Sequence, residues 1–137
     1  RIGGYPIQVL SIEVGVRRPL GVSSAGVAIL AAMPSAEARK IVLANETRFG
    51  AYRTDTATVL GQIQLARRRG YNLRDVGLVQ GTKSLSAWIR TPDGQPAAAI
   101  TLSAMRNRLS PRRAIEVADV LLATARAIET ATPRETS

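Results

Sequence analysis

The chain has 137 residues, a net charge of +9 and neither histidine nor cysteine. That length supports one domain, residues 1–137, with a single buried core, and the missing residue types exclude disulfides, thiolate nucleophiles, histidine general bases and nearly every transition-metal ligand set. No apolar stretch approaches the roughly 20 residues needed to cross a bilayer, and the opening, with Arg1 and the pair Gly3-Gly4, lacks the apolar core of a signal peptide. The absence of cysteine is compatible with the cytoplasm, the expected location.

Residues 5–14 alternate loosely between apolar and polar, are rich in β-branched side chains, and predict a strand. The loop that follows, Arg17-Arg-Pro-Leu-Gly-Val-Ser-Ser-Ala-Gly-Val-Ala-Ile-Leu30, admits three readings. A nucleophile elbow needs glycine two places after the serine, and Gly21-Val22-Ser23 continues into Ser24-Ala25. A phosphate loop needs lysine straight after its second glycine, and Gly26 is followed by Val27 and Ala28. The reading that fits is a helix start, with Ser23 or Ser24 accepting from the free amides of the first turn and residues 27–33 supplying the apolar helix.

Pro34-Ser35 opens a second helix through Ala44, burying Ile41 and Val42. Residues 45–53 read as a polar connection. Thr54 or Asp55 caps a third helix whose Val59, Leu60, Ile63 and Ala66 fall at helical spacing, and Gly70 ends it. The run Arg67-Arg68-Arg69 suits the negative end of that helix dipole. Residues 71–79 are expected to be extended, with Gly81 breaking them.

Two alternating runs, residues 84–90 and 97–103, flank Thr91-Pro-Asp-Gly-Gln-Pro96, and Asp-Gly between such runs is a strong hairpin signal. With Asp93 and Gly94 as the turn, Ser84 opposes Ser103, Ser86 opposes Thr101, and Trp88 opposes Ala99. Those six share one face of the sheet, while Leu85, Ala87, Ile89, Ala98, Ile100 and Leu102 share the other and form a core face. The first face is a shelf of hydroxyls bordered by alanine and one indole. It is either a mildly polar face covered by a helix or a site where hydroxyls orient a small polar ligand. The chain closes in a long helix opened by Ser110-Pro111, with Ile115, Ala118, Leu121, Leu122, Ala125 and Ile128 as its buried stripe; residues 130–137 form a polar tail expected to fray.

The positive charge lies in separate clusters at Arg17-Arg18, Arg39-Lys40, residues 67–69, Arg106 with Arg108, and Arg112-Arg113. Few aromatic residues lie between them for stacking bases. They read as a solvated surface, with a basic nucleic-acid-binding module as one alternative function and a serine-dependent hydrolase or transferase using Ser23 or Ser24 as another.

Two segments occur together, Arg18-Pro-Leu-Gly-Val-Ser-Ser-Ala-Gly-Val-Ala-Ile-Leu and Arg69-Gly-Tyr through Gly81 to Ala87-Trp-Ile, Asp93-Gly94 and Ala98-Ala-Ile-Thr-Leu-Ser103. In this order, over residues 9–128, the chain resembles the C-terminal effector-binding domain of IclR-family transcriptional regulators. The resemblance implies an α+β, GAF-like domain, an antiparallel sheet flanked by helices with an effector pocket on one sheet face. It implies no catalysis, no cofactor, no metal and no membrane. The implied partners are a small organic acid effector, a homo-oligomeric copy (dimer or tetramer), and DNA reached only through an N-terminal winged helix-turn-helix that is expected upstream with the first strands.

Carried over by the resemblance, the ligand-binding residues are Ser24 and Ala25 in the loop and helix start, Ser84, Thr101 and Ser103 on the hairpin, and Ile7 and Leu10 as apolar walls; Ser86 and Trp88 join them from the shelf. An aromatic or short hydroxylated carboxylate fits a shelf with Trp88 at its far end. The chain departs from the family pattern at Val27, where lysine is usual, at Gly21, where histidine is frequent, and at Arg74-Asp75-Val76-Gly77, which replaces an acidic stretch. Arg74 gives a carboxylate ligand a charge-assisted partner if it reaches the pocket; pointing outward, it is a surface charge.

Overall fold

The computed structural model describes residues 19–74 and 81–131. The predicted strand at residues 5–14, with Ile7 and Leu10, lies outside them, as do the far part of the predicted extended run and the tail beyond Ala131. Among the described residues four α-helices and one three-stranded antiparallel sheet follow in the order α1 (Ser24–Ala32), α2 (Ser35–Ala44), α3 (Thr56–Arg69), β1 (Asn72–Arg74), β2 (Thr82–Arg90), β3 (Pro96–Met105) and α4 (Pro111–Ala131). The sheet order is β1-β2-β3. This is the α+β class expected.

The sheet separates two layers. On one face α1 packs over all three strands and is backed by α3. Val22, Val27, Leu30, Val42, Phe49, Val59, Ile63 and Trp88 form a single buried cluster there. On the other face α4 crosses β2 and β3, closing over Leu85 with Leu109, Ala114 and Ala118, and over Ala87 and Ile89 with Ala125. Small side chains at 114, 118 and 125 let the helix backbone come close to the sheet, so their burial selects the helix phase.

That phase bears out the predicted stripe of the last helix at Ala118, Leu121, Leu122 and Ala125 and corrects it at its two ends. Ile115 is 60% exposed and Ile128 38%, while the fully buried positions are Ala114, Ala118 and Ala125. Ala114, one position before Ile115, takes the buried place at the start of the helix. A second correction concerns residues 45–53. They hold a 3-10 helix, Glu46–Tyr52, which drives Phe49 into the core at 1% exposure.

The hairpin register is as expected from Ser84 to Ile89, with Ser84 opposite Ser103, Ser86 opposite Thr101 and Trp88 opposite Ala99. The register shifts after Ile89, so Arg90 faces Pro96. The turn is accordingly wider than Asp93-Gly94 alone. Thr91 N donates to Gln95 O, Gly94 N donates to Thr91 O, and Gly94 takes φ +88°, the left-handed position of a three-residue hairpin loop. The predicted core face is complete on β2 but open on β3, where Ala98 is exposed and Leu102 is 38% exposed. Beyond β2, α4 covers β3 only in part.

Helix α3 begins and ends on the expected signals. Asp55 accepts from Thr58 N at 2.8 Å, and Gly70 closes the helix at φ +89°. The hydrogen bonds from Thr58 hold the Asp55 carboxyl below its ordinary pKa. A lowered carboxylate pKa contributes stability that is present above the unfolded value of 3.8 and lost as pH falls through the lowered folded value. Asp55→Asn keeps a capping oxygen that does not titrate. Acid unfolding followed by circular dichroism is expected to show a shallower loss of stability in this variant than in the parent; identical acid limbs would contradict the assignment.

Candidate functional site

The loop before α1 is built from glycines. Gly21 adopts φ +108°, and a Cβ there would lie 2.9 Å from Val59 Cγ1. A Cβ on Gly26 would lie 3.0 Å from Gly21 N and 3.1 Å from Ser23 Oγ. The tight fold of this loop lets Ser23 cap the helix, accepting from Gly26 N at 3.0 Å. The next residue, Ser24, is then turned onto the sheet, 5% exposed.

Cross-strand partners share a sheet face. The registers therefore place Asn72, Ser86 and Thr101 in one row under α1, and Arg74, Ser84 and Ser103 in the next. Leu73, between Asn72 and Arg74, packs with the α4 layer, as alternation requires. In the first row Ser86 Oγ donates to Ser24 Oγ at 2.9 Å and lies 2.7 Å from Thr101 Oγ1. Asn72 Nδ2 donates to Ser24 Oγ at 3.1 Å and to Ser24 O at 3.3 Å. In the second row Ser84 Oγ and Ser103 Oγ are 2.9 Å apart.

Proton counting gives this network a direction. A hydroxyl has one proton to donate. Ser86 spends its proton on Ser24, so Thr101 donates to Ser86; Ser24 accepts twice, from Ser86 and Asn72, and keeps its own proton. The Ser84–Ser103 pair shares one bond between two hydroxyls and likewise keeps one proton. Among the described residues the face thus has donors to spare, which suits a ligand rich in acceptors. Ser86 is fully buried, whereas Thr101 and Ser103 are exposed, so the network runs from the core to an open edge at β3.

The structure brings Ser24, Ser84, Ser86, Thr101 and Ser103 together and puts Ala25, half-buried, in the first turn of α1. Arg74 is 9% exposed and lies on this face; burial lowers its pKa from the ordinary arginine value. Trp88 lies further along the same face. It is 8% exposed in the α1 core, with the Arg90 guanidinium 5.7 Å from its ring centroid. Its indole Nε1 has no hydrogen-bond acceptor among the described residues. Asn72 was not legible as a member. A polar amide inside an extended run is unfavourable in a strand, which is the one sequence signal that could have drawn attention to it.

Among the described residues no group of histidine, cysteine, aspartate and glutamate could hold a metal ion, and no helix is long and apolar enough to cross a membrane.

Residues 7–130 match the family described as bacterial transcriptional regulator IclR C-terminal. A protein of Halobacterium salinarum named "Probable HTH-type transcriptional regulator ArcR" is 33% identical over 99 residues, covering 67% of this chain and 36% of that protein. Among solved structures, Thermotoga maritima IclR superposes with a TM-score of 0.77 at 21% identity, over 94% of this chain and 52% of the other. Pseudomonas aeruginosa HmgR gives a TM-score of 0.65 at 28% identity, over 92% of this chain and 50% of the other. The chain thus spans about a third of the first relative and about half of the two solved chains.

Proposed function

This chain belongs to the IclR family of bacterial transcriptional regulators, as a C-terminal domain, and from that premise we propose that it senses a small organic acid and transmits its binding to a DNA-binding module elsewhere in the regulator. The supporting observation is the hydroxyl face under α1, where Ser24 and the Ser84–Ser103 pair retain donor protons. The start of α1 adds free amide donors and the positive end of a helix dipole, which favour anions. Ser24, Ala25, Ser84, Ser86, Thr101 and Ser103 are the proposed contacts.

The domain performs no catalysis in this reading: its buried serines hydrogen-bond one another, Ser103 and an asparagine, with no base beside them among the described residues. It acts as a homo-oligomer, since paired DNA half-sites are read by two-fold assemblies. DNA is contacted through an upstream winged helix-turn-helix, and residues 1–137 are the sensing domain.

A thermal-shift screen tests the proposal. Carboxylic acids, neutral sugars and amines are each added to the purified chain. One class of acid is expected to raise the melting temperature; a ligand at 100 times its dissociation constant adds about 2.7 kcal/mol of stability. Replacing Ser84 and Thr101 together by valine is expected to remove most of that gain. Stabilisation by amines or sugars with no response to acids would contradict the anion site.

A further inference from the structure

The segment Arg106-Asn-Arg-Leu-Ser-Pro-Arg-Arg113 carries four arginines and no acidic residue. It turns the end of β3 into α4 through a short 3-10 helix, Arg106–Arg108. The backbone is pinned from several sides. Arg106 N donates to Gly81 O at 2.9 Å, Lys83 Nζ donates to Leu109 O at 2.9 Å, and Leu109 is itself buried with Leu85, Ala114 and Ala118. Ser110 opens α4, its hydroxyl accepting from Arg113 N at 3.2 Å and its carbonyl from Ala114 N at 2.8 Å. All four arginines are exposed on this fixed backbone.

Local structure accounts for the basic run at 67–69 but not for this one. The earlier run lies at the negative end of a helix dipole, whereas Arg112 and Arg113 lie in the first turn of α4, at its positive end, with no acidic residue in that turn. Carboxylate partners are scarce too. Arg112, 93% exposed, and Arg113 share the single carboxylate of Glu116 at 3.8 and 3.1 Å, and exposed pairs of this kind contribute little. Arg106 and Arg108 form no ion pair among the described residues. Four like charges are thus held together, two of them at a dipole end that repels them, and an anionic partner would relieve both effects.

Independently of the effector reading, we propose that residues 106–113 form a second contact surface for DNA, gripping the phosphate backbone of a duplex without reading its bases. The chain belongs to a family of transcriptional regulators, and DNA is the polyanion such a protein meets. The cations are all arginine, whose planar fork pairs with two phosphate oxygens at once. The segment has no aromatic side chain on which an unpaired base could stack, which favours a duplex over a single strand. Base reading stays, as above, with the upstream helix-turn-helix; the ridge adds affinity that depends on charge and on salt. Because its backbone is already fixed, little ordering is lost on contact.

The purified chain is titrated into short labelled duplexes of two unrelated sequences, a single strand of the same length and polyglutamate of matched charge, with binding read by fluorescence anisotropy. Both duplexes are expected to bind alike, with a dissociation constant of about 1–100 μM at physiological salt. Three or four phosphate contacts should weaken binding about 40- to 150-fold between about 50 and 200 mM salt. Two variants that lose the same charge separate the ridge from the net charge of +9. One replaces Arg106, Arg108, Arg112 and Arg113 by glutamine; the other replaces Arg39, Lys40, Arg68 and Arg69, all exposed, by glutamine. The first is expected to lose about tenfold or more in duplex affinity and most of the salt dependence, and the second to stay within about threefold of the parent. Arg106→Gln with Arg108→Gln alone, which breaks no ion pair, is expected to remove about half of the salt slope, and decides by the same reading should the fourfold ridge variant unfold.

Equal losses in the two fourfold variants would overturn the proposal, because net charge alone would then explain binding. So would failure of the duplexes to bind, a strong preference for one sequence, or tighter binding of polyglutamate or of the single strand than of the duplex.

Discussion

Gly21→Ala is expected to destabilise the domain by about 2–4 kcal/mol, read from thermal or urea unfolding. Two costs combine at this position. Its φ of +108° lies where side chains are strained, a penalty of about 1–3 kcal/mol. The added methyl would also sit 2.9 Å from Val59 Cγ1 and 3.7 Å from Phe49 Cε1, both in fully buried residues, and overpacking of a dense core costs about 1–3 kcal/mol. Gly70 provides the comparison: φ is +89° but a Cβ there meets nothing within 4 Å. Gly70→Ala therefore carries only the backbone cost, about 1 kcal/mol. Equal destabilisation by the two substitutions would contradict the packing argument. Because Gly21 sets the start of α1, its replacement should also weaken any ligand response that depends on Ser24.

Arg67→Ala is expected to cost about 2–4 kcal/mol, because Arg67 closes the opposite end of α1. From the last turn of α3 its Nε donates to Ala31 O at 3.2 Å, its Nη2 to Met33 O at 3.2 Å and Leu30 O at 3.5 Å, and its Nη1 to Ser35 Oγ at 2.9 Å. The final carbonyls of a helix have no partner within it. The Arg67 guanidinium supplies those of Ala31 and Met33 and reaches Leu30 O, Arg90 Nη2 donates to Ala32 O at 3.1 Å, and the bond to Ser35 lets Arg67 tie α1, α2 and α3 together. Hydrogen bonds to charged groups contribute about 1.5–3 kcal/mol, and carbonyls left unsatisfied in a partly buried site add to the loss. Lysine has one compact donor centre and cannot span these acceptors, so Arg67→Lys should recover little. Arg68, in the same run but exposed, should tolerate alanine within about 0.5 kcal/mol. Similar losses at 67 and 68 would show that the run serves only the helix dipole.

The contrast between these arginines shows what the sequence could and could not reveal. A local rule placed all of residues 67–69 at the end of a helix and gave them one role. Only the packing of α3 beside α1 singles out Arg67. The hairpin was legible for the opposite reason: its register depends on a nearby turn and on alternation, both local. Four hydroxyls of the candidate site followed from that register alone; the cap was narrowed to Ser23 or Ser24, of which the structure uses Ser23, and the α+β class came from the family resemblance.

What stayed hidden depends on contacts distant in sequence. Asn72 and Arg74 join the hydroxyl face because β1 pairs with β2 in one register and not the neighbouring one; a shift of one residue would have sent both to the α4 side. Phe49 sits in a polar segment whose composition says loop, and its burial comes from α3 and the Gly21 turn. The middle of the α4 stripe was legible, but at its start closeness to the sheet gives the buried place to Ala114 and leaves Ile115 exposed. Trp88 satisfied two readings, core and ligand wall, and the structure gives it the core side.

A nuclear magnetic resonance titration of the chain with the acid that stabilises it most tests the central claim most directly. If the hydroxyl face under α1 is the effector site, backbone amide shifts will concentrate in the first turn of α1 around Ser24 and Ala25, on β2 at Ser84 and Ser86, and on β3 at Thr101 and Ser103. They will saturate together at one dissociation constant. Shifts gathered instead on the exposed arginines of residues 106–113, with the serines of β2 and the start of α1 unmoved, would contradict it.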